Sequence, residues 1–410
     1  MTFPKSRPIK PPAGRLSKSL RWLFAGIGSL CLVLLLGWTT LVIYFSNLPW
    51  GWARLVLVVA FLTLGIWALW YLRKPRTIGV FAALFLGVLF WCLVLLLGWA
   101  TLAIYYSNLP WSLARLVLAL VFLTFGIWAL WYSRTPRMIA VFAALFLGVV
   151  VWFSTISPSH DRPWRPEVAV MPRAFIDGDR VRITGFRNFD YRTRNDFTVR
   201  YEEREVYLSH LNSLDFYVSY FWPDSPVAHT FLSFNFDNAP PISISIETRP
   251  EIGEGFDPLP SLFKQFELIY VVGDERDLVR VRTNYRNEDV FLYRLRTSPE
   301  VVRRLFLIYL DRVNELADQP EWYHLFSNSC TVNIVRYANL AGRVGRFDIR
   351  HILNGWSDRY LYDAGVLDTD TSLPFEELRR RSHINGAAQA AGNAKDFSER
   401  IRKSLPTPPL

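Results

Sequence analysis

The stretch CLVLLLGWTTLVIYFSNLPWGWARLVLVVAFLTLGIWALWYLRKPR, residues 31–76, recurs as CLVLLLGWATLAIYYSNLPWSLARLVLALVFLTFGIWALWYSRTPR at residues 92–137. The copies are offset by 61 residues, and the same offset relates IGVFAALFLGV from residue 78 to IAVFAALFLGV from residue 139. Each copy contains two apolar runs joined by an SNLPW loop. A two-helix hairpin is therefore repeated in tandem.

Five apolar runs precede the first acidic residue of the chain. They lie at about 22–45, 55–72, 78–106, 116–132 and 138–153. Most are close to the roughly 20 residues that a helix needs to cross about 30 Å of hydrocarbon. The first run is too long for a secretory signal peptide, and no small-residue cleavage pattern follows it, so we expect it to remain in the mature protein. The sequence predicts about five membrane-spanning helices over residues 22–153.

Charge is divided sharply along the chain. Of the 46 Lys and Arg residues, 13 lie in residues 1–153, which contain no Asp or Glu, whereas residues 154–410 hold 33 basic and 36 acidic residues. Because the basic excess is confined to the apolar part, it argues against a nucleic-acid partner and against a wholly soluble protein. The basic tail, residues 1–21, and the basic turns at 73–76 and 134–137 predict a cytoplasmic side. Five crossings then place residues 154–410 outside.

The predicted helices indicate an anchor rather than a channel or transporter. None of them carries an ionisable residue near its middle, where an ion or substrate pathway would need one. Small residues such as Gly26, Gly65 and Gly126 would allow the helices to associate with one another. Cys31 and Cys92 occupy equivalent apolar positions of the two copies and are interpreted as packing residues.

The outside part alternates polar and apolar residues before it turns helical. Residues 154–167 form a polar, proline-containing linker, and a domain is predicted over residues 168–383. Period-two patterns predict strands at 180–186, 205–211, 229–236, 242–247, 268–272, 278–285 and 290–295. Ser298-Pro299-Glu300 predicts a helix that ends near Pro320, and a second helix begins around Cys330. Residues 384–410 are predicted to form a flexible tail. The pattern indicates an α+β domain.

Cys330 is the only cysteine of residues 154–410, so no partner for an intramolecular disulfide exists there. An unpaired thiol is unusual in an oxidising compartment. Cys330 follows Asn328 and Ser329, which are capping-type residues, and it opens an apolar-periodic run. That position would direct helix N–H groups at the sulfur and favour the thiolate. The alternative interpretation is a small buried hydrophobic residue.

A thiol nucleophile needs a base within hydrogen-bond reach and a third group that orients the base. His229 is the best candidate base among six histidines, because it opens a predicted strand. Glu247 ends the next strand, so that two neighbouring strands would align the imidazole and the carboxylate beside the helix terminus. Asp237, Asn238 and His210 remain alternatives for the orienting group. No metal or cofactor is expected.

Six segments of the outside part together resemble a known family. They are DRPWRPEVAVMPRAF, RVRITGFRNFDYRTRNDF, VAHTFLSFNF, ISISIETRPE, FKQFELIYVVGDERDLVRVRTNYR and WYHLFSNSCTVNIVRYAN. They resemble the bacterial family of Lnb-type N-terminal periplasmic domains from about residue 161 to residue 368. The family is named after a lipoprotein N-acyltransferase, and its domain is similar to circularly permuted papain-like thiol enzymes of the NlpC/P60 type, in which His precedes Cys.

The resemblance implies a role for five residues. Cys330 would be the nucleophile, His229 the base and Glu247 the orienting residue, with Asn328 and Ser329 supporting an oxyanion site together with the backbone N–H of Cys330.

The resemblance also implies a bacterial inner-membrane protein whose papain-like periplasmic domain performs acyl transfer or hydrolysis through a thioester. Membrane lipids are the expected partners, with a phospholipid or lipoprotein as acyl donor and cell-wall peptide as the second enzymatic choice. The alternative is a non-catalytic module that binds an envelope component. The sequence predicts neither the acyl acceptor nor the oligomeric state.

Overall fold

The computed structural model describes residues 75–255, 257–342, 345, 348–369 and 373–406, with side chains from residue 87 onward. The chain divides into two compact units, Met1–Trp99 and Ala100–Leu410. The basic tail, the predicted helices at 22–45 and 55–72 and Cys31 lie outside the described residues.

Three apolar helices form the described part of the repeat region. They are α1 (Pro75–Tyr105), α2 (Ser112–Ile127, continued by a π-helical turn, Trp128–Ser133) and α3 (Pro136–Thr155). Within them, the segments Gly87–Tyr105, Ser112–Ser133 and Pro136–Thr155 are long and apolar enough to cross a membrane. The predicted helices at 78–106, 116–132 and 138–153 are therefore confirmed as apolar helices of membrane length.

The domain after α3 is built on one eight-stranded sheet. Its strands are β1 (Arg173–Asp177), β2 (Arg180–Arg187), β5 (Tyr201–Tyr207), β6 (Leu211–Tyr220), β7 (His229–Phe236), β8 (Ile242–Arg249), β9 (Glu267–Asp274) and β10 (Asp289–Arg294). The order is β1-β2-β9-β8-β7-β6-β10, with β5 also paired to β2. Only β2 and β9 pair in parallel among these described strands. A small ribbon joins β3 (Asp190–Tyr191) to β4 (Phe197–Thr198).

Helices cover the sheet, which makes the domain a mixed α/β domain. They are α4 (Glu275–Arg280), α5 (Pro299–Asp318), α6 (Cys330–Leu340), α7 (Ser357–Asp363), α8 (Phe375–Ser382), α9 (Asn385–Ala391) and α10 (Phe397–Arg400). Helices α5 and α6 pack on one face of the sheet and share its main core.

Helix α5 confirms its sequence signals closely. The side chain of Ser298 accepts a hydrogen bond from the backbone of Val301, and Pro299 occupies the first helical position. The seven apolar residues at helical spacing are all buried: Val302, Leu305, Phe306, Tyr309, Leu310, Val313 and Leu316. This periodicity therefore identifies the face of α5 that packs on the sheet.

The prediction of a strand at 278–285 was wrong. Helix α4 and a π-helical turn, Val281–Tyr285, occupy this segment instead. The Asp274 side chain caps α4 by accepting from the Arg276 N–H at 2.9 Å, and two acids lie in the first turn. These helix-starting signals come directly before the alternating residues, and the segment folds as a helix despite its period-two pattern.

The segment predicted as a flexible tail is folded over residues 384–406. Ile384, Ala388, Phe397 and Ile401 are buried in a second core, on the sheet face that carries Tyr217 and Phe231. Beyond them, the guanidinium of Arg402 donates to the buried carboxylates of Asp215 at 2.8 Å and Glu275 at 2.6 Å. Small alanine side chains permit this close packing, so the Ala-rich composition was a poor indicator of disorder.

The polypeptide that leaves α3 packs directly on the domain. The ammonium of Lys264 donates to the carbonyl oxygens of Phe153 at 2.8 Å and Ile156 at 3.0 Å. The indole N–H of Trp322 also donates to the Ile156 carbonyl, at 3.4 Å. A cation at a helix C-terminus stabilises its unpaired carbonyl groups. Lys264 and Trp322 therefore attach the domain to the end of an apolar helix.

Glu267, at the start of β9, makes stability depend on pH. Burial raises the pKa of its carboxyl to about 7, although the charge of Arg162 favours ionisation from 3.0 Å. A raised folded pKa means that the stabilising contribution is complete below the unfolded value of about 4.5 and is lost as the pH rises through about 7. We therefore expect the free energy of unfolding of Glu267→Gln, relative to that of wild type, to be higher at about pH 8 than at about pH 5.

Urea unfolding of the full chain in detergent measures this difference. Glu203→Gln is the matched control, because the Glu203 side chain is 61% exposed beside Arg182 and its substitution should change the free energy of unfolding little. A Glu267→Gln effect that is the same at both pH values would contradict the assignment.

Candidate thiol site

Three elements meet at one end of the sheet. Strand β7 begins at His229, and its antiparallel neighbour β8 passes Ser245 opposite Phe231 and then reaches Glu247. Helix α6 begins at Cys330 beside these strands. A cavity of about 120 Å³ at this point is lined by His229, Glu247, Arg282, Tyr323, Ser329, Cys330 and Asn354, among others. The fold thus brings together Cys330, His229 and Glu247, which the sequence analysis selected.

His229 and Glu247 are connected through a serine that the sequence analysis did not select. The Nε2 atom of His229 lies 2.7 Å from the hydroxyl oxygen of Ser245, and that hydroxyl donates to Glu247 Oε1 at 2.7 Å. The direct distance from His229 Nε2 to Glu247 Oε1 is 3.8 Å. Because the single hydroxyl proton of Ser245 is used on Glu247, Nε2 must donate to Ser245. In the neutral ring, Nδ1 is then left to accept a proton from the thiol.

Arg282 holds Glu247 in its charged form. Its guanidinium is buried, 3% exposed, and donates to Glu247 Oε1 at 2.7 Å. Burial favours the protonated carboxyl, but the charge of Arg282, with that of His229, holds the pKa of Glu247 well below its usual range. The Glu247 carboxylate therefore ends a chain of hydrogen bonds that runs from His229 through Ser245.

Cys330 lies where a thiolate is stabilised. Burial raises the pKa of its thiol, but the hydrogen bond and charge of His229, with hydrogen bonds from Thr230, lower that pKa from 9.0 to about 6. The amide of Asn354 also donates towards the sulfur at 3.5 Å. The thiol is the first residue of α6, at the positive end of the helix dipole. The site therefore favours a thiolate at neutral pH.

A second set of polar residues holds the start of β7 against α6. The Asn354 amide donates to the Thr331 hydroxyl at 2.9 Å and accepts from the backbone N–H of Ala228 at 2.8 Å. The hydroxyl groups of Thr331 and Thr230 lie 2.8 Å apart. Thr230 and Thr331 directly follow the two predicted reactive residues, but no sequence signal pointed to Asn354, 24 positions beyond Cys330.

The predicted oxyanion residues occupy different places. Asn328 donates to the Glu321 carboxylate at 3.1 Å and to the Trp322 carbonyl at 2.9 Å, so its amide protons hold the loop before α6. Ser329 is the N-cap residue of α6, lines the cavity and makes no side-chain capping bond. The oxyanion role of both stays a prediction, and for Asn328 the observed bonds argue against it.

Tyr323 lines the cavity beside Cys330. Its phenol is buried and hydrogen-bonded to both the backbone and the thiol of Cys330, and burial together with the charge of Cys330 raises the pKa of the phenol well above its usual value. It therefore stays protonated and can donate. Tyr323 and Cys330 line the same cavity, which makes the Tyr323 hydroxyl a candidate oxyanion donor.

The alternative orienting groups lie elsewhere. His210 Nδ1 is 2.5 Å from an oxygen of Asp237, and both side chains are exposed. Strands β6 and β7 run antiparallel, with Ser219 paired to His229 at one end and Leu211 paired to Phe236 at the other. The His210–Asp237 pair therefore lies at the end of β7 that is far from His229. Asn238 is exposed beside Asp237. The geometry thus separates these three residues from the thiol.

The fold and site define a class of protein: a mixed α/β domain that follows apolar helices and holds a buried Cys-His pair. In the described part of the chain, no group of three or more His, Cys, Asp or Glu is arranged to hold a metal ion. The family model of the Lnb N-terminal periplasmic domain matches residues 197–355, under half of the chain, and confirms the resemblance found in the sequence. The match and the apolar helices indicate a membrane protein with a periplasmic domain. No curated protein and no solved structure matches the chain.

Ser245 provides a test of the hydrogen-bonded chain. Ser245→Ala removes the bridge between His229 and Glu247, so we expect the apparent pKa of the Cys330 thiol to rise, and the free energy of unfolding to fall by about 0.5–1.5 kcal/mol. Ser233→Ala is the matched control, because Ser233 is buried on the same sheet face and bonds Ser243 at 2.6 Å. It should cost similar stability without changing thiol titration. An unchanged titration in Ser245→Ala would show that the bridge does not control the thiol.

Proposed function

We propose that this protein is a membrane-anchored thiol enzyme that transfers or hydrolyses an acyl group through a thioester on Cys330. The observation that carries the proposal is the position of Cys330 at the start of α6 beside His229, whose Nε2 atom lies 2.7 Å from the Ser245 hydroxyl that donates to Glu247. The lowered pKa of the thiol, about 6, agrees with this geometry. A buried cysteine with a purely structural role does not need such surroundings. The chain order, His before Cys, is that of the permuted papain-like enzymes, which supports the same reaction class.

The first half of the reaction forms the thioester. His229 accepts the thiol proton, and the Cys330 sulfur attacks the carbonyl carbon of an ester or amide. The negative charge on the carbonyl oxygen is stabilised by the Cys330 N–H and the Tyr323 hydroxyl. The bond from the carbonyl carbon to the leaving alcohol or amine then breaks, and the His229 imidazolium gives its proton to the leaving group.

The second half regenerates the thiol. An amine or a water molecule enters the site, and His229 removes a proton as the new nucleophile attacks the thioester carbon. The carbon–sulfur bond breaks, and the Cys330 sulfur is protonated by the imidazolium. An amine yields acyl transfer and water yields hydrolysis. Ser245 and Glu247 keep the imidazole in one orientation through both halves.

The acyl donor that fits this arrangement is a phospholipid or a lipoprotein. The domain is attached through Lys264 and Trp322 to the end of an apolar helix of membrane length, which brings it close to lipid. Cell-wall peptide is the second choice. A non-catalytic envelope-binding module is the alternative function, favoured by the low exposure of Cys330, 3%.

Hydrolysis of p-nitrophenyl esters by the full chain in detergent tests the reaction class. We expect a burst of p-nitrophenol equivalent to the enzyme, followed by slower turnover, and neither in Cys330→Ser. Cys92→Ser is the matched control, because Cys92 lies on α1. It should behave as wild type. A wild-type protein without a burst, or a burst that survives in Cys330→Ser, would favour the binding module.

A further inference from the structure

Three loops form the mouth of the Cys330 cavity. They are residues 221–228, 323–329 and 349–354. Each contributes an apolar side chain to the cavity wall, namely Phe221, Leu325 and Ile352. Gly355, which directly follows the third loop, donates its N–H to the carbonyl of Pro226 in the first loop at 3.0 Å. This bond holds the first and third loops together.

Large apolar side chains on these loops or directly beside them are exposed. We call them the apolar rim: Phe221, Trp222, Phe326, Ile349 and Trp356, which are between 38% and 59% exposed. Exposed apolar side chains are normal when scattered singly, but a set around one cavity marks an interaction surface.

Phe326 of the rim lies near the point where the chain leaves the apolar helices. Helix α3 ends at Thr155, and Trp322 contacts the carbonyl of the next residue, Ile156. Phe326 is four residues beyond Trp322, so it lies within about 14 Å of that contact. Because the 20 residues of α3 match the apolar thickness of a bilayer, its end marks the bilayer surface.

We propose that the apolar rim inserts into the interfacial layer of the bilayer that the apolar helices span, so that the Cys330 cavity opens at the lipid surface. Trp and Phe side chains suit this layer. A charged residue of the first loop, Asp224, forms an ion pair with Arg379 at 3.1 Å, which reduces the cost of placing it there. The insertion goes beyond the catalytic proposal, because it needs no reaction at Cys330.

Spin labels on the full chain in phosphatidylcholine nanodiscs test the insertion. In a Cys31→Ser, Cys92→Ser, Cys330→Ser background, Phe326→Cys or Trp222→Cys supplies the single thiol for a nitroxide. Relaxation of the label by oxygen, relative to a water-soluble nickel complex, reports its depth. We expect both rim labels at about 5–10 Å below the boundary between headgroups and acyl chains.

Asp237→Cys is the matched control. Asp237 is exposed and follows the far end of β7, eight residues and therefore about 26 Å from His229. Its label should show the full nickel accessibility of an aqueous site. Rim labels that both match the Asp237→Cys label would overturn the proposal, whatever the activity of Cys330. The two rim positions lie on separate loops, so a folding defect in one variant leaves the other as the test.

Discussion

His229→Ala should raise the apparent pKa of the Cys330 thiol from about 6 to about 8.5 or higher, because the imidazole is the main group that favours the thiolate. At about pH 6 the thiolate fraction then falls by about a hundredfold, partly offset by the greater reactivity of a more basic thiolate. Turnover of an activated ester should fall by about 10²–10⁴ with the loss of the base. The rate of iodoacetamide alkylation against pH, in a Cys31→Ser, Cys92→Ser background, measures the change in pKa.

His210→Ala is the control for this experiment. His210 also lies beside a strand and pairs with a carboxylate, but at the opposite end of the sheet from Cys330. It should leave alkylation unchanged. A Cys330 thiol that titrates near 8.5 in both wild type and His229→Ala would contradict the thiolate–imidazole pair.

Arg282→Met should destabilise the domain strongly. The substitution leaves the Glu247 carboxylate, whose side chain is only 18% exposed, without its closest charged partner, and removal of one member of a buried ion pair costs up to about 3–5 kcal/mol. Urea unfolding followed by near-ultraviolet circular dichroism measures the loss. Because the charge of Arg282 also keeps Glu247 ionised, we expect the apparent pKa of the Cys330 thiol to rise as well.

Two further variants separate charge from packing. Arg282→Met combined with Glu247→Gln should recover part of the lost stability, because no uncompensated carboxylate remains. Arg192→Met is the surface control, because Arg192 and Asp196 are both more than half exposed and ion pairs in such positions contribute little to stability. If Arg282→Met lowers the free energy of unfolding no more than the surface control does, Arg282 does not stabilise the domain through its ion pair with Glu247.

Local signals in the sequence predicted much of the fold. The repeat and its apolar runs identified the membrane-length helices, and strands β7 and β10 lie within one residue of their predicted bounds. Segment 278–285 was misassigned because the same alternation fits a short amphipathic helix when an aspartate caps its start. The packing of residues 384–406 depends on apolar residues of distant strands, which a local composition does not reveal.

The sequence predicted those site residues whose side chains are themselves reactive. Cys330 and His229 were selected because a lone thiol at a helix start needs a base, and Glu247 was selected from its place on the next strand. Ser245 and Arg282 were missed because their role depends on strand register and on a helix that was misassigned. The role of these residues is visible only when β7, β8 and the π-helical turn Val281–Tyr285 are brought together.

The most direct measurement of the central claim is the mass of the intact protein after incubation with a phospholipid in detergent. We predict an added acyl group on wild type, removed by hydroxylamine and located on the peptide that contains Cys330, and no such adduct on Cys330→Ser. His229→Ala should accumulate the adduct far more slowly. Wild-type protein that stays unmodified with phospholipid, lipoprotein and activated ester alike would contradict the claim that Cys330 is an acyl-accepting nucleophile.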